Sequence, residues 1–310
     1  MQQQVSQTNS AEELENAGFF DDKKKSRKSG NIAVEKTSTL FEHVTLATQT
    51  RLLFGREIKS LYRDKLAFVI SVTSSTVFGL LFGFIFFKVG KSSYSEFGEV
   101  MASFGAIANL LISTMFSVAQ STLMDFPKDR PVFLREYSTN HYSVLPYFLA
   151  KFTVESFRAL VQVSVQLVAA FFLMGFQMNF FYFLALNFIL AIASSSIGVF
   201  IGSMVEDPKA AGEFIPALIV PQLLFSGFFI QVDLIPSFLR WAQYLCSLTY
   251  ATRLATLYEF GDCETESCVS LLDSNGVYQL ESYWYWIILI TIASVFRITS
   301  MFVLKSKASF

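Results

Sequence analysis

Long uncharged apolar segments alternate with short charged ones along this chain. Four segments carry no Asp, Glu, Lys or Arg, and a fifth, Trp284–Leu304, contains only Arg297; the four are Leu66–Phe87, Val100–Met124, Ala159–Val205 and Phe214–Val232. About 20 helical residues cross a bilayer core of roughly 30 Å. Because lipid offers the backbone no hydrogen-bond partner, helices are the expected spanning element. The pattern therefore predicts an all-α, polytopic membrane protein.

The apolar segments divide into six predicted membrane spans. The longest segment holds two of them, because Gly175–Asn179 is the one break within it and favours a short turn there. The predicted spans are Leu66–Phe87, Val100–Gln120, Phe157–Met174, Phe180–Met204, Phe214–Ile230 and Trp284–Leu304.

The basic residues predict the orientation of the spans. With both termini in the cytosol, the outer loops hold only four of the 24 Lys and Arg residues, namely Lys88, Lys91, Arg240 and Arg253. The opposite orientation would place nearly all of them outside, against the usual bias. The loop Gln231–Tyr283 is then exoplasmic. Residues 1–38 are polar and are predicted to form a disordered cytosolic tail or linker.

A different pattern precedes the first span. Over Leu40–Lys65 apolar residues recur at helical spacing, and charged residues lie on the other faces of the helix. The apolar residues are Ala47, Phe54, Ile58 and Leu61, and the charged ones include Arg51, Arg56 and Lys59. This pattern predicts an amphipathic helix on the inner membrane surface. The alternative is an ordinary cytosolic helix that packs on protein.

Several chemistries lack their sequence motif. The chain has no phosphate-binding G-x-x-x-x-G-K-[ST], no H-E-x-x-H and no G-x-S-x-G, and its two histidines, His43 and His141, are far apart. We therefore expect no catalytic residue, no metal site and no cofactor bound by this chain. No acidic residue lies deep in an apolar segment, which weighs against proton-coupled transport.

A charged segment follows the second predicted span. Phe126–Tyr137 interleaves charged residues with Pro127, Pro131 and Phe133, and Tyr142 and Tyr147 follow. This segment is predicted to be a cytosolic loop. It suits docking to another protein through ion pairs around an aromatic anchor, although a well-solvated loop would look the same.

The fifth predicted span combines a bend with bulky aromatic residues. Pro221 removes a backbone hydrogen bond in mid-helix, and Gly227 stands directly before Phe228 and Phe229. Such an end could close a pore by steric and hydrophobic blockage. Phenylalanines that face lipid or the core are the alternative.

Smaller signals concern packing and the predicted outer loop. Ile235–Leu245 is predicted to be a short helix that dips back into the outer leaflet, with Phe238, Trp241 and Leu248 on one face. Cys263 and Cys268 lie in the predicted outer loop, where an oxidising environment would allow them to form a disulfide. Cys246 is expected to be a buried thiol. A ridge of small residues is predicted to allow close helix packing, and it consists of Ser194, Gly198 and Gly202. A second set of residues can form ion pairs within one helix, namely Lys151, Glu155 and Arg158.

Taken in order, these features resemble the transmembrane domain of the G subfamily of ATP-binding-cassette transporters, the White and breast-cancer-resistance type. The resemblance covers about Thr39 to Lys305. The resemblance rests on three segments. On the amphipathic helix the matching residues are Gln49, Arg56, Arg63 and Asp64, and on the charged segment they are Arg130, Phe133, Arg135, Glu136 and Tyr142. At the end of the fifth span and just after it they are Ser226, Gly227, Phe228, Phe229, Ile235, Pro236 and Trp241.

The resemblance implies a type V exporter fold, an ABC-2 type transmembrane domain over residues 39–310, with two such domains meeting at a two-fold axis as a homo- or heterodimer. It implies coupling to the ATPase domain through Asp129, Arg130, Phe133, Arg135 and Glu136. Asp129 stands where the family usually has Glu. It also implies a central cavity and a hydrophobic valve, with Asn109, Thr114, Phe116 and Ser117 in the cavity and Phe228 and Phe229 in the valve.

In this family a nucleotide-binding domain precedes the membrane domain, and here about 38 polar residues stand in its place. ATP and Mg are therefore expected on a partner domain, and a truncated product and a separate ATPase subunit are both possible explanations. We expect a plasma-membrane exporter subunit for lipophilic or amphipathic molecules, with the bilayer and no nucleic acid among its partners. The alternatives are a non-transporting scaffold that dimerises with full-length relatives, and a passive channel.

Overall fold

The structure is a computed structural model that describes residues 45–91, 94, 96–138, 142–205, 207–230, 235–277 and 280–308. The predicted tail and the first residues of the predicted amphipathic helix, Leu40–Val44, lie outside this range. Within it the chain forms nine α-helices: α1 Leu46–Arg63, α2 Lys65–Ile85, α3 Phe97–Ser138, α4 Val144–Met174, α5 Phe180–Met204, α6 Pro208–Phe225, α7 Ser247–Phe260, α8 Glu266–Ser274 and α9 Ser282–Ala308.

Five of these helices are long and apolar enough to cross a membrane: α2, α3, α4, α5 and α9. Helix α5 has the predicted bounds. The predicted turn before it is confirmed, because Gly175 adopts a φ of +71° and the Asn179 side chain accepts a hydrogen bond from the Phe181 N–H at 2.9 Å. This left-handed conformation favours glycine.

Helix α6, the predicted fifth span, ends at Phe225 rather than at Ile230. Gly227 follows with a φ of +83°, which interrupts the helix. The carbonyl groups of Phe225 and Ser226 accept hydrogen bonds from the Thr249 and Thr252 hydroxyls at 2.9 and 2.8 Å. The end of α6 is therefore stabilised by α7, as helix ends require.

The predicted loop Phe126–Tyr137 is wrong, because helix α3 runs through it without a break. The helix contains 42 residues, including Pro127 and Pro131, and extends over about 63 Å. Each proline removes one backbone hydrogen bond, but tertiary contacts hold the segment helical. Phe126 and Phe133 are each 1% exposed in one apolar cluster with Leu53, and Arg130 donates to the Val205 carbonyl at 3.2 Å.

Helices α3 and α5 pack closely at the centre of the bundle. A Cβ added at Gly198 would lie 3.3 Å from the Ala119 carbonyl oxygen, and one at Gly202 would lie 3.2 Å from the Phe126 Cβ. The predicted small-residue ridge is therefore confirmed, and its role is to bring the backbone of α5 against α3. Helix α9 packs on the same helix α5, and α2 packs on α4.

Helix α1 is confirmed over Leu46–Arg63, and it packs on α4. Its buried anchor is Leu53, which is 7% exposed, rather than one of the four predicted apolar residues. Leu46 and Leu52 are 55% and 69% exposed. One side of this helix thus contacts protein and leaves other apolar residues uncovered.

The chain after α6 differs from the predicted re-entrant helix. A short 3-10 helix, Arg240–Leu245, is separated from α7 by Cys246, whose extended backbone interrupts the helical path. Phe238 and Trp241 are consequently exposed, whereas Leu248 is fully buried. The predicted common face of these residues is wrong, and α7 itself was not predicted.

Candidate functional site

One end of the bundle carries a cluster of charged and aromatic side chains, which we call the Glu136 cluster: Arg56, Phe133, Glu136, Tyr142 and Tyr147. The Glu136 carboxylate accepts a hydrogen bond from Arg56 Nη1 at 2.5 Å and one from the Tyr142 hydroxyl at 2.7 Å. The Arg56 guanidinium lies 5.8 Å from the centroid of the Tyr142 ring. Helix α1, the end of α3 and the start of α4 are therefore joined at a single carboxylate.

Aromatic packing lies directly beneath this carboxylate. The centroid of the Phe133 ring is 4.5 Å from that of Tyr147 and 6.2 Å from that of Tyr142. Phe133 is 1% exposed and Tyr147 is 2% exposed. Such ring pairs contribute roughly 0.5–1.5 kcal/mol of stability in addition to that from burial of their apolar area. The ion pair of Arg56 and Glu136 is therefore packed against well-ordered aromatic rings.

The charge states in the cluster are well defined. Burial and the hydrogen bond to Glu136 raise the pKa of Tyr142, although Arg56 opposes this. Burial alone would lower the pKa of Arg56, but the hydrogen bond to Glu136 and the neighbouring Tyr142 outweigh it and raise that pKa. Arg56 is therefore a cation and Tyr142 a neutral donor at physiological pH.

Ion pairs also connect α4 with its neighbours. Lys151 pairs with Asp129 of α3, and Glu155 pairs with Arg297 of α9 at 2.6 Å. Arg158 pairs with Asp125 of α3 at 3.3 Å.

The predicted pairing within α4 is therefore wrong, because each residue of the set has a partner on another helix. Pairs along one exposed helix contribute only about 0.2–0.5 kcal/mol. Asp125 and Arg297 were not recognised as partners from the sequence.

The remaining predicted coupling residues have different surroundings. Asp129 has a half-exposed side chain, and Arg130 is 5% exposed with its guanidinium on the Val205 carbonyl. Arg135 is exposed on the last turns of α3. Arg130 thus ties α3 to the end of α5, whereas Arg135 faces outward.

The four predicted cavity residues lie on different sides of α3. Asn109 and Phe116 are seven residues apart and share one side, and Phe116 is 41% exposed. Thr114 is buried and donates to Asn187 Oδ1 of α5 at 3.1 Å. Ser117 bonds with Ser75 of α2 at 2.8 Å.

Polar side chains form a ladder between α3 and α4 inside the bundle. The amide of Gln166 donates to Ser113 at 2.6 Å, that of Gln162 donates to Ser117 at 2.6 Å, and Arg158 donates to Ser121 at 3.0 Å. Both helices contribute every fourth residue. This spacing was visible in the sequence as matching polar positions, and the ladder fixes the register of the two helices.

The predicted valve residues lie just beyond α6. The ring centroids of Phe228 and Phe229 are 4.9 Å apart, and that of Phe228 is 6.0 Å from Phe104 on α3. Phe229 is 60% exposed. The structure thus brings Phe228 onto α3 near the opposite end of that helix from Glu136.

A buried carboxylate organises this opposite end. Glu259 of α7 accepts hydrogen bonds from the Tyr94 hydroxyl at 2.6 Å, from the Gln177 N–H at 3.0 Å and from the Met178 N–H at 2.9 Å. Burial raises the pKa of Glu259, and the three hydrogen bonds oppose that rise. Sequence reasoning missed this residue.

Cysteine chemistry is confined to the same end. Cys263, just before α8, forms a disulfide with Cys268 in the first turn of that helix. Cys246 is a free, buried thiol whose pKa is raised to about 12 by burial. Among the described residues no group of three His, Cys, Asp or Glu side chains could hold a metal ion.

Comparison with known proteins gives consistent matches. The family described as ABC-2 type transporter matches residues 48–260. ABC transporter G family member 1 of Dictyostelium discoideum is 27% identical over 84% of this chain and 35% of its own length. Protein white of Drosophila melanogaster is 30% identical over 72% of this chain and 32% of its own length. The alignment with ABC transporter G family member 4 of Arabidopsis thaliana is 24% identical and covers 48% of that protein. The aligned region thus covers about a third to a half of the length of these three relatives.

Proposed function

The chain belongs to the ABC-2 type transporter family, and from this premise we propose that it is the membrane-spanning part of an ATP-driven exporter of lipophilic or amphipathic small molecules. One observation carries the mechanism: α3 is a single helix from Phe97 to Ser138. It joins the Glu136 cluster at one end to the Phe228 contact at the other.

The Glu136 cluster is the proposed docking surface for a nucleotide-binding domain. The disulfide supports an exoplasmic position for the far end, since disulfides persist in oxidising compartments. The Glu136 cluster then faces the cytosol, where ATP is available. ATP and Mg would be held by the nucleotide-binding domain, and this chain would supply the surface that receives its movement.

Helix α3 would carry that movement across the membrane. Phe104 and Glu136 are 32 residues apart, which corresponds to about 48 Å along a helix. The close contact with α5 at Gly198 and Gly202 leaves little room for α3 to bend locally. A displacement at Glu136 is therefore transmitted as a movement of the whole helix rather than absorbed on the way.

At the far end the movement would act on the pair Phe228 and Phe229. Phe104 touches Phe228, so a shift of α3 changes the position of the ring that closes the path. Phe116 and Asn109 lie on one side of α3 and are the proposed contacts for substrate in a cavity between two copies. The ring pair and this apolar side suit an apolar or amphipathic molecule.

The experiment is ATP-dependent uptake of a fluorescent amphipathic compound into inside-out vesicles from cells that produce the chain together with its nucleotide-binding domain. Arg135 is the exposed cation next to Glu136 on α3 and extends the proposed docking surface. Arg135→Ala should abolish uptake and leave the amount of inserted protein unchanged. Lys128→Ala is the matched control, because Lys128 is an exposed cation of the same helix, 61% exposed in its side chain. Normal uptake by Arg135→Ala would contradict docking at this surface. Dimerisation without any ATP-dependent uptake would favour the scaffold instead.

A further inference from the structure

The turn after α6 determines where Phe228 lies. Helix α6 ends at Phe225, Ser226 keeps a helical backbone conformation, and Gly227 then adopts a φ of +83°. A residue with a side chain rarely adopts such a conformation. Because Phe228 comes directly after this change of direction, a rotation of the backbone at Gly227 moves the whole Phe228 ring.

One side chain that is distant in the sequence lies against this turn. Asn275 follows the last residue of α8 and is 6% exposed. A Cβ added at Gly227 would lie 2.5 Å from Asn275 Oδ1 and 3.4 Å from Asn275 Cγ. The amide therefore fills the space that a side chain at Gly227 would need, and it blocks movement of the Gly227 backbone toward α8.

The oxygen of this amide has no conventional hydrogen bond. Asn275 Nδ2 donates to the Leu271 carbonyl at 3.1 Å, whereas the buried Oδ1 has no hydrogen-bond partner in the part of the chain that the structure describes. An unpaired buried acceptor costs about 1–3 kcal/mol, and a Cα–H···O contact returns only about 0.5–1 kcal/mol. The contact with Gly227 is thus made at a net cost in stability, which indicates a role other than stability.

Asn275 is held in place from two directions. The disulfide fixes the first turn of α8. Gly276 follows Asn275 with a φ of +62°, and the Val277 carbonyl then accepts a hydrogen bond from the Tyr285 hydroxyl of α9 at 2.8 Å. Val277 and Tyr285 are both fully buried. The amide is therefore a fixed stop that is tied to a membrane-spanning helix.

The Phe228 ring rests on α3. Its centroid lies 6.0 Å from that of Phe104, and its Cε2 atom lies 3.8 Å from the position of a Cβ added at Gly105. The Phe228 N–H donates within its own turn, to Ser226 Oγ at 3.3 Å. Asn275 thus supports the backbone of the turn, and α3 supports the ring that the turn carries.

We propose that Asn275 is a positioning residue for Phe228: its amide stops the backbone of Gly227, so that the Phe228 ring stays on α3. This inference rests on the proposed function, which takes Phe228 as the ring that closes the path. The stop acts through the shape of the side chain. A shorter side chain in place of Asn275 would let the turn relax toward α8 and draw the ring away from Phe104.

Two substitutions separate this contact from the hydrogen bond of the same side chain. Asn275→Ser is too short to reach Gly227 but keeps a hydroxyl that can donate to the Leu271 carbonyl. Asn275→Leu loses that hydrogen bond and keeps a γ-branched side chain of similar shape against Gly227. Ser274→Ala is the matched control, because the Ser274 hydroxyl donates to the same Leu271 carbonyl at 3.0 Å.

The first measurement reports the surroundings of the ring and needs no ATP. Para-fluorophenylalanine is incorporated at Phe228 of the full chain, in nanodiscs together with its nucleotide-binding domain, and observed by fluorine NMR. The signal should move in Asn275→Ser and keep its wild-type position in Asn275→Leu and Ser274→Ala. Melting temperatures show whether each variant folds, and Asn275→Ala takes the place of Asn275→Ser if the latter does not. An unmoved signal in the short variant would overturn the proposal, as would equal movement in Asn275→Leu.

The second measurement separates this proposal from the proposed function. Passive leak of a fluorescent amphipathic compound from proteoliposomes should rise about twofold in Asn275→Ser, less than in Phe228→Ala, because the ring is displaced rather than removed. A fluorine signal that moves while neither variant leaks more than wild type would support the role of Asn275 and contradict the valve. Increased leak in Phe228→Ala with an unmoved signal in Asn275→Ser would contradict the role of Asn275 alone.

Discussion

The two ends of the bundle join their helices through carboxylates in opposite environments. At the Glu136 end the paired side chains are partly open to solvent, with Arg56 39% exposed and Glu136 30% exposed. At the other end Glu259 is 6% exposed and its partner Tyr94 is 4% exposed. Partly exposed ion pairs contribute about 0–1 kcal/mol, whereas loss of a buried, fully bonded carboxylate is expensive.

This difference indicates that one end of the bundle is suited to move and the other to stay fixed. The partly exposed ion pair of Arg56 and Glu136 can be broken and re-formed at low cost in free energy, which suits a surface that receives a moving partner. The Glu259 end, with its disulfide and buried threonine bonds to α6, is built to hold one arrangement. In the proposed transporter, the first end would move and the second would support the residues that open or close the path.

The largest effect on stability is expected from Glu259→Ala. The substitution leaves the Met178 N–H and the Tyr94 hydroxyl buried without their acceptor, at a cost of about 3 kcal/mol in total. Thermal unfolding in detergent should show this loss, and Glu259→Gln, which keeps an acceptor oxygen, should lose much less. Equal losses for both variants would show that charge rather than hydrogen bonding matters there.

The next effect concerns coupling rather than folding. Arg56→Ala should reduce ATP-dependent transport about tenfold or more, which corresponds to at least about 1.4 kcal/mol, and change the free energy of unfolding by less than about 1 kcal/mol. Arg51→Ala on the same helix is the control. A parallel loss of stability and transport in Arg56→Ala would mean that the Glu136 cluster is structural.

A smaller effect is expected at the Phe228 contact. Phe228→Ala removes the ring that touches Phe104 and should raise passive leak or basal ATP hydrolysis a few-fold without loss of insertion. Phe238→Ala is the control, since Phe238 is 77% exposed. Unchanged leak and unchanged basal and substrate-stimulated hydrolysis would argue against a valve.

The smallest effect is a pH dependence at Glu259. Because burial raises its pKa above the usual value of 4.5 in the folded protein, the folded state binds the proton more tightly than the unfolded state. The associated stability is fully present below about 4.5 and is lost as the pH rises through the folded pKa. The melting temperature of the wild type relative to Glu259→Gln should therefore be higher at pH 5 than at pH 7. An unchanged difference would contradict the raised pKa.

The apolar spans were predictable because an uncharged segment of the right length has few alternatives in a membrane. Helix α7 was not, since Thr249, Thr252, Arg253 and Glu259 give Ser247–Phe260 the composition of a polar loop. Their burial depends on partners in α6 and in the α4–α5 turn, far away in sequence. Local composition carries no information about such partners.

The candidate site was only partly predictable, because several of its contacts also join residues that are far apart in the sequence. The residues of the charged segment were identified, but Pro127 and Pro131 suggested a loop where packing of Phe126 and Phe133 holds a helix. The ion pairs of Lys151, Glu155 and Arg158 with other helices required the tertiary arrangement. The prediction that Phe228 and Phe229 form a valve stays a prediction.

The central claim is that α3 connects the Glu136 cluster to the Phe228 end. The most direct measurement is the distance between spin labels at Ile230→Cys in two copies of the transporter, with Cys246 replaced by Ser, before and after addition of ATP. The account predicts a shift in the wild type and in Arg51→Ala, and no shift in Arg56→Ala. An equal shift in all three proteins would show that movement reaches the Phe228 end without the Glu136 cluster, and would contradict the account.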